Sequence, residues 1–267
     1  MKNANIHIGI SGYYYKDAIG RFYPNRIRPS EFILYYQRFF DSVELNFTFY
    51  RYPQKHHIKS ILKKAPNLRY SIKLHRSFTH FKNYDKKSLE KFIEDIEPIV
   101  SSGRFIALLM QFPPSMHYKE ESLEHIEDLI KNLKPIPLAI EFRSKSFNRK
   151  DVFELLKENN VSIVNVDAPK KEDALVGPWI STANFNYIRI HGRDEENPYK
   201  YIYSIDELKK IKTKIRKIEE YKPTYIFFNN TFGAGAFLNA LELKKLYGFD
   251  VEIPDKLEVI RNQGIWV

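Results

Sequence analysis

The 267-residue sequence predicts an α/β protein, a single (β/α)8 TIM barrel, and three observations lead there. Short apolar segments alternate with amphipathic ones along the whole length, the pattern of βα units in a parallel sheet. The apolar segments number eight, the count at which such a sheet closes. Hydrophobic residues make up 43% of the chain, enough to build one full-sized core, and no low-complexity linker or composition shift marks a boundary, so one domain over 1–267 is expected.

Strand one is read at 6–11, where IHIGIS alternates, and the apolar spacing in 30–40 predicts the first helix. Strands follow at 42–46, 69–75, 105–112, 138–143, 162–167, 186–192 and 224–230, each a short β-branched or aromatic run. Between them, helical periodicity is found at 54–65, 86–99, 121–132, 149–159, 205–220 and, after the last strand, 233–247. One unit is irregular. Residues 168–185 are rich in Pro, Gly and polar side chains where a helix is due after strand six, which makes them either a lid over the barrel mouth or an irregularly packed connection.

Composition narrows the chemistry. Without cysteine there is no disulfide, thiolate metal site or cysteine nucleophile, so carboxylates, imidazoles, hydroxyls, amines or a bound metal must do the work. The apolar runs are too short to span a bilayer, and the N-terminus enters a strand with no signal-type apolar region; a cytoplasmic protein with no membrane partner is expected. Lys and Arg exceed Asp and Glu by 43 to 33, a net charge of +10, which favours anionic partners and leaves nucleic acid possible. The densest basic stretch, 209–217, is a solvated helix face, because Leu208, Ile211, Ile215 and Ile218 take the other side.

Side chains alternate faces along a strand, so each strand divides into a helix-facing set and an interior set. Ile6/Ile8/Ile10, Val43/Leu45, Ile72/Leu74, Ile106/Leu108/Met110, Leu138/Ile140/Phe142, Val164/Val166 and Ile188/Ile190 are assigned to the helices. The opposite parity sends His7, Ser11, Glu44, Asn46, Ser71, Lys73, His75, Gln111, Glu141, Arg143, Asn165, Asp167, Tyr187, Arg189 and His191 inward. On strand eight, Asn229 and Asn230 are both polar and parity does not choose between them.

Isolated buried charge is costly, so this lining requires internal pairing. Glu44, Glu141, Lys73 and Arg189 form a deeper group with two charges of each sign, and Arg143, Arg193, Asp167, His75 and His191 form a group nearer the mouth with excess positive charge. After strand eight, NNTFGAGAF places Gly233 and Gly235 in the first turn of a helix, whose free N–H groups beside Arg189, His191 and Arg193 would suit an anion. Aromatic residues crowd the first two loops, and among them Tyr50, just past strand two, is assigned to the pocket.

The segments IGISGYYY, RFYP, VELNFTFYRYP, YSIKLHRSFTH, LLMQFPPS, LAIEFRSKSF, VNVDAP, YIRIHGR and FFNNTFGAGAFLNA together resemble the YecE-like family, catalogued as a domain of unknown function. The resemblance runs nearly end to end and implies a closed (β/α)8 barrel with shared polar residues at the strand ends, matched here by Glu44, Asn46, Tyr50, Lys73, His80, Gln111, Glu141, Arg143, Arg189, His191, Arg193, Asn229 and Asn230. The tyrosine run and Phe47 depart from the family's usual Trp and Ser/Thr.

The leading expectation is an enzyme acting on a small or polymeric anionic, phosphate-bearing substrate, with Arg143, Arg189, Arg193 and Lys73 holding the anion, Glu44 and Glu141 as acid or base, and His191 as proton shuttle. A metal-dependent phosphodiesterase using His75, Glu141, Asp167 and His191 is a variant, and a non-catalytic nucleotide or nucleic-acid binder is the alternative from another class. A glycosidase pairing Glu44 with Glu141 requires open space between the carboxylates, and a serine hydrolase lacks its elbow, since Ser11 lies in GISG. The sequence names no cofactor and no oligomeric state.

Overall fold

β-Branched and aromatic segments stack edge to edge because each can bury one face under helices and the other in a shared interior. The computed structural model describes residues 5–81, 84–219 and 222–263. Its strands are β1 (Ile6–Ser11), β2 (Ser42–Leu45), β3 (Arg69–Lys73), β4 (Phe105–Gln111), β5 (Leu138–Glu141), β6 (Ser162–Asp167), β7 (Asn186–Ile190) and β8 (Thr224–Phe228). All neighbours are parallel, and β8 pairs back onto β1 to close the barrel in sequence order.

The helices are α1 (Phe32–Tyr36), α2 (Phe47–Tyr50), α3 (Lys55–Lys64), α4 (Arg76–Thr79), α5 (Lys86–Val100), α6 (Glu120–Leu133), α7 (Lys150–Glu158), α8 (Ile205–Arg216), α9 (Gly235–Tyr247) and α10 (Asp255–Gln263). Capping residues set several starts: Asp85 accepts from the N–H groups of Lys87 and Ser88 ahead of α5, and Ser204 with Glu207 forms a capping box at α8. The expected helix 205–220 ends earlier, and its residue 220 lies outside the described residues. The single turns α2 and α4 and the final α10 are additions to the expected set. Among the described residues, no helix is long and apolar enough to cross a membrane.

Apolar side chains fill two layers, a large one under the helices and a smaller one inside the barrel that includes Leu109, Val164, Val166, Tyr187, Tyr225 and Phe227. Two strands correct the expected alternation. In β4, Tyr70 lies opposite Phe105 but Ile72 lies opposite Leu108, so β4 carries an extra residue and both Ile106 and Ala107 join the interior. In β6 the faces are reversed: Val164 pairs with Tyr187 and Val166 with Arg189, both interior, which turns Ile163, Asn165 and Asp167 outward.

The irregular segment after β6 is a packed connection, and its contacts explain the reversal. It turns back beside the end of β6, Val166 and Gly177 exchanging two backbone hydrogen bonds at 2.9 Å in an antiparallel bridge. Asn165 exchanges two more with the backbone of Ile180, and the Ile163 N–H donates to Thr182. A strand covered by backbone instead of an apolar helix can hold polar residues on its outer face.

Candidate active site at the C-terminal mouth of the barrel

Alternation brings one inward side chain from nearly every strand to the same level, and the charged ones meet there. Arg189 of β7 is 1% exposed and lies between two fully buried carboxylates. Its Nη1 donates to Glu141 Oε2 at 2.6 Å and its Nη2 to Glu44 Oε1 at 2.8 Å. Tyr187 donates to Glu44 Oε2 at 2.7 Å and meets Ser71 at 2.8 Å. Above this chain, Arg143 Nε is ion-paired with Glu141 Oε1, and Arg143 Nη2 and Lys73 Nζ both donate to Gln111 Oε1, at 3.4 and 2.8 Å. Glu44, Lys73, Glu141 and Arg189 are thus one connected network, with Arg143 and Gln111 completing the link to Lys73.

The carboxylates stay ionised. Burial raises Glu141, but Arg143 and Arg189 outweigh it and hold the carboxyl well below its ordinary range. Glu44 is likewise lowered, burial being overcome by Arg189, the Tyr187 hydrogen bond and Lys73. His191 moves the other way: burial, reinforced by Arg143 and Arg189, brings it down to about 4, so the ring is a neutral imidazole at pH 7 and not the imidazolium that an anion subsite would use. Asn229 Nδ2, which can only donate, lies 2.9 Å from His191 Nδ1. Arg143 Nη2, also only a donor, lies 3.4 Å from His191 Nε2, and Glu141 Oε1 lies 3.5 Å from the same nitrogen.

Lys73 is pushed down to about 7, first by burial, with Arg189 and Arg143 acting in the same direction and Glu141 and Glu44 opposing them. Its Nζ lies 3.9 Å from the centre of the Phe49 ring. Phe49 is the aromatic residue that spacing alone did not single out; Tyr50, assigned to the pocket, is 68% exposed on the rim. A single helical turn after β2 alternates faces differently from a strand, and that turn aims Phe49 at Lys73.

Several expected site residues lie elsewhere. His75 caps α4, with Nδ1 2.8 Å from Ser77 Oγ and its ring against Tyr52 at 4.4 Å. His80 touches Thr79 and lies beside Phe49 on the rim. Asn46 stands at the N-cap position of α2 without a side-chain capping bond, its Oδ1 buried without a hydrogen-bond partner among the described residues. Asn230 faces outward to Tyr201 O and Asn239, leaving Asn229 as the pocket residue of the pair. Arg193 follows Gly192, whose φ of 97° turns the chain out of the barrel, and it grips Asp167 with two hydrogen bonds of 2.8 Å and Glu207 at 3.0 Å. A Cβ at Gly192 would lie 2.0 Å from Pro198 O, so the turn requires glycine.

The anion subsite expected between Arg189, His191, Arg193 and the Gly233–Gly235 turn therefore does not assemble. Both Nη groups of Arg189 are held by carboxylates, Arg193 is in the outer layer, and the Gly233 N–H already donates to Asp17 at 2.8 Å. Gly235 packs against Asn230 O. The metal-dependent variant loses its ligands in the same way, since His75 and Asp167 are far from Glu141 in bonding terms, and among the described residues no group of three or more His, Asp or Glu side chains is arranged to hold a metal ion. Glu44 and Glu141 share one guanidinium, which fills the space that a glycosidic pair would need open.

Comparison with known proteins places these features in a family. The chain is 34% identical to a DUF72 family protein (TM1631) of Thermotoga maritima MSB8, with 91% of this chain and 99% of that one covered at a TM-score of 0.83. A second DUF72 family structure (EF0366), from Enterococcus faecalis V583, is 22% identical over 92% of this chain and 98% of its own, with a TM-score of 0.79. The UPF0759 protein YunF of Bacillus subtilis (strain 168) is 23% identical across 92% of this chain and 95% of its length. The family model for DUF72, proteins of unknown function, matches residues 7–260, and the chain belongs to that family.

Proposed function

We propose that the chain is an enzyme acting on a small anionic substrate at the C-terminal mouth of the barrel. The observation that carries this reading is the uneven distribution of charge in the network. Arg189 satisfies both buried carboxylates from below, while Arg143 and Lys73 cap the open end, and the Arg143 side chain is 31% exposed where Lys73 and Glu141 are nearly covered. An anionic group is held by Arg143, Glu141 serves as an ionised base, and neutral His191 offers a ring nitrogen for hydrogen bonding.

Thermal melting against inorganic phosphate, sulfate and small carboxylates tests it. A ligand that binds only the folded chain stabilises by about 2.7 kcal/mol at a hundred times its dissociation constant. At least one anion is expected to raise the Tm of the wild type and of Arg193→Ala, and not of Arg143→Ala. No shift across the panel, or equal shifts in all three proteins, would reject the reading.

A second reading, nucleotide or nucleic-acid binding, draws support from exposed rings on the loops around the mouth: Tyr14, Tyr50, Tyr52, Phe81 and Tyr199. Binding through the basic surface and these rings would weaken steeply with salt, whereas a small anion among paired charges would be far less sensitive.

A further inference from the structure

We propose that Lys73 is a nucleophile that forms an imine with the carbonyl carbon of a small anionic aldehyde or ketone, the class that includes 2-oxo acids. This rests on the reading above that the mouth receives an anion and names the substrate class. Three features of position lead to it. Lys73 closes β3 on the interior face, so Nζ lies at the strand ends where a ligand enters and the residue retains 8% exposure. The only hydrogen bond of Nζ among the described residues is to a neutral amide, Gln111 Oε1, and the Phe49 ring covers another side. The nearby carboxylates are committed elsewhere, Glu44 to Arg189 and Tyr187, Glu141 to Arg189 and Arg143.

An ammonium in that setting lacks a counterion of its own, and the loss of hydration outweighs the attraction of the Phe49 face, which favours the free amine with its lone pair available. The charged and titratable groups around it are Glu44 on β2, His80 beyond α4, Glu141 on β5, Arg143 just after it and Arg189 on β7, and their combined effect with burial agrees in direction. Gln111 Oε1 accepts from both Lys73 Nζ and Arg143 Nη2, so the amine and the exposed guanidinium are near neighbours. That spacing suits one small molecule with an anionic group beside its carbonyl.

The step balances without an oxidant or reductant. The Nζ lone pair forms a C–N bond as the carbonyl π pair moves to oxygen. Both N–H protons pass to that oxygen by way of solvent water at the open mouth. Water leaves, and a C=N bond remains. Lys244 provides an internal comparison: it is equally buried at 8% exposure, but it belongs to α9 outside the barrel and donates to Phe39 O.

The test uses the full chain with glyoxylate or pyruvate and sodium cyanoborohydride, read by intact mass and peptide mapping. The expected result is one adduct on Lys73, formed roughly tenfold or more faster at pH 7 than on surface lysines, whose ordinary pKa near 10.4 leaves little free amine. The rate should rise through pH about 7, as the amine is freed. Lys73→Arg should lose the adduct, and a melting curve shows whether that variant is folded; the wild-type labelling pattern decides the matter even if it is not. Labelling of Lys73 no faster than that of surface lysines or Lys244 overturns the proposal. Acetaldehyde separates the two readings. If it labels Lys73 as fast as glyoxylate does, imine chemistry stands and the anion reading fails; if anions raise the Tm but no carbonyl compound labels Lys73, the reverse holds.

Discussion

Glu141 shows how much one side chain supports. It accepts from Arg189, pairs with Arg143 and lies beside His191, and is itself at zero exposure. Glu141→Ala would leave a fully buried guanidinium with half its counter-charge, and the expected loss is about 3 to 5 kcal/mol in the free energy of unfolding. Glu141→Gln keeps the shape and one acceptor and should lose less. A denaturant midpoint for Glu141→Ala equal to that of the wild type would mean that the network contributes nothing to the fold.

At the scale of elements, the end of β7 and its return to α8 decide where the outer charges go. Gly192 takes the chain out of the barrel, and Arg193 then bridges Asp167, which ends β6, and Glu207 in the first turn of α8. Tyr203 supplies Asp167 with one further hydrogen bond at 2.8 Å. Because Asp167 is buried and keeps Tyr203 when the guanidinium is removed, Arg193→Ala should cost roughly 1 to 3 kcal/mol and lower the Tm of the unliganded protein. Anion-induced shifts should survive in that variant. An unchanged Tm would show the clamp to be dispensable, and a lost anion response would return Arg193 to the mouth.

For the whole molecule, the buried site predicts acid sensitivity in a defined window. His191 is neutral in the fold down to about pH 4 but takes up a proton near 6.5 in the unfolded chain. Between those values the unfolded state binds more protons, so stability falls as pH drops, by on the order of 3 kcal/mol over the window. Glu44 and Glu141 add a second loss at lower pH, because their lowered pKa values make their contribution present above the ordinary carboxylate value and lost as they protonate. Urea titrations from pH 7 to 4 should show a smaller decline in His191→Gln than in the wild type. Parallel declines would mean that His191 titrates alike in both states.

Reading along the chain was sufficient for everything that depends on local period. Eight strand segments, the helices between them and the inward facing of Glu44, Lys73, Gln111, Glu141, Arg143, Arg189 and His191 follow from alternation, because a side chain's face is set by its position in its own strand. Where the period breaks, the sequence carries no local sign of it. The extra residue in β4, the reversed face of β6 and the outward turn at Gly192 each depend on what packs against the strand, and a helix replaced by the backbone of 168–185 is not visible in the strand it covers. Partner choice belongs to the tertiary structure too. Arg189 joins Glu44 across 145 residues of sequence, and Gly233 meets Asp17 across 216, so only closure of the barrel could decide that the two carboxylates share one guanidinium and that the glycine turn is already capped. Hydrogen-bond geometry between distant strands assigned the charges, leaving Arg143 and Lys73 at the open end.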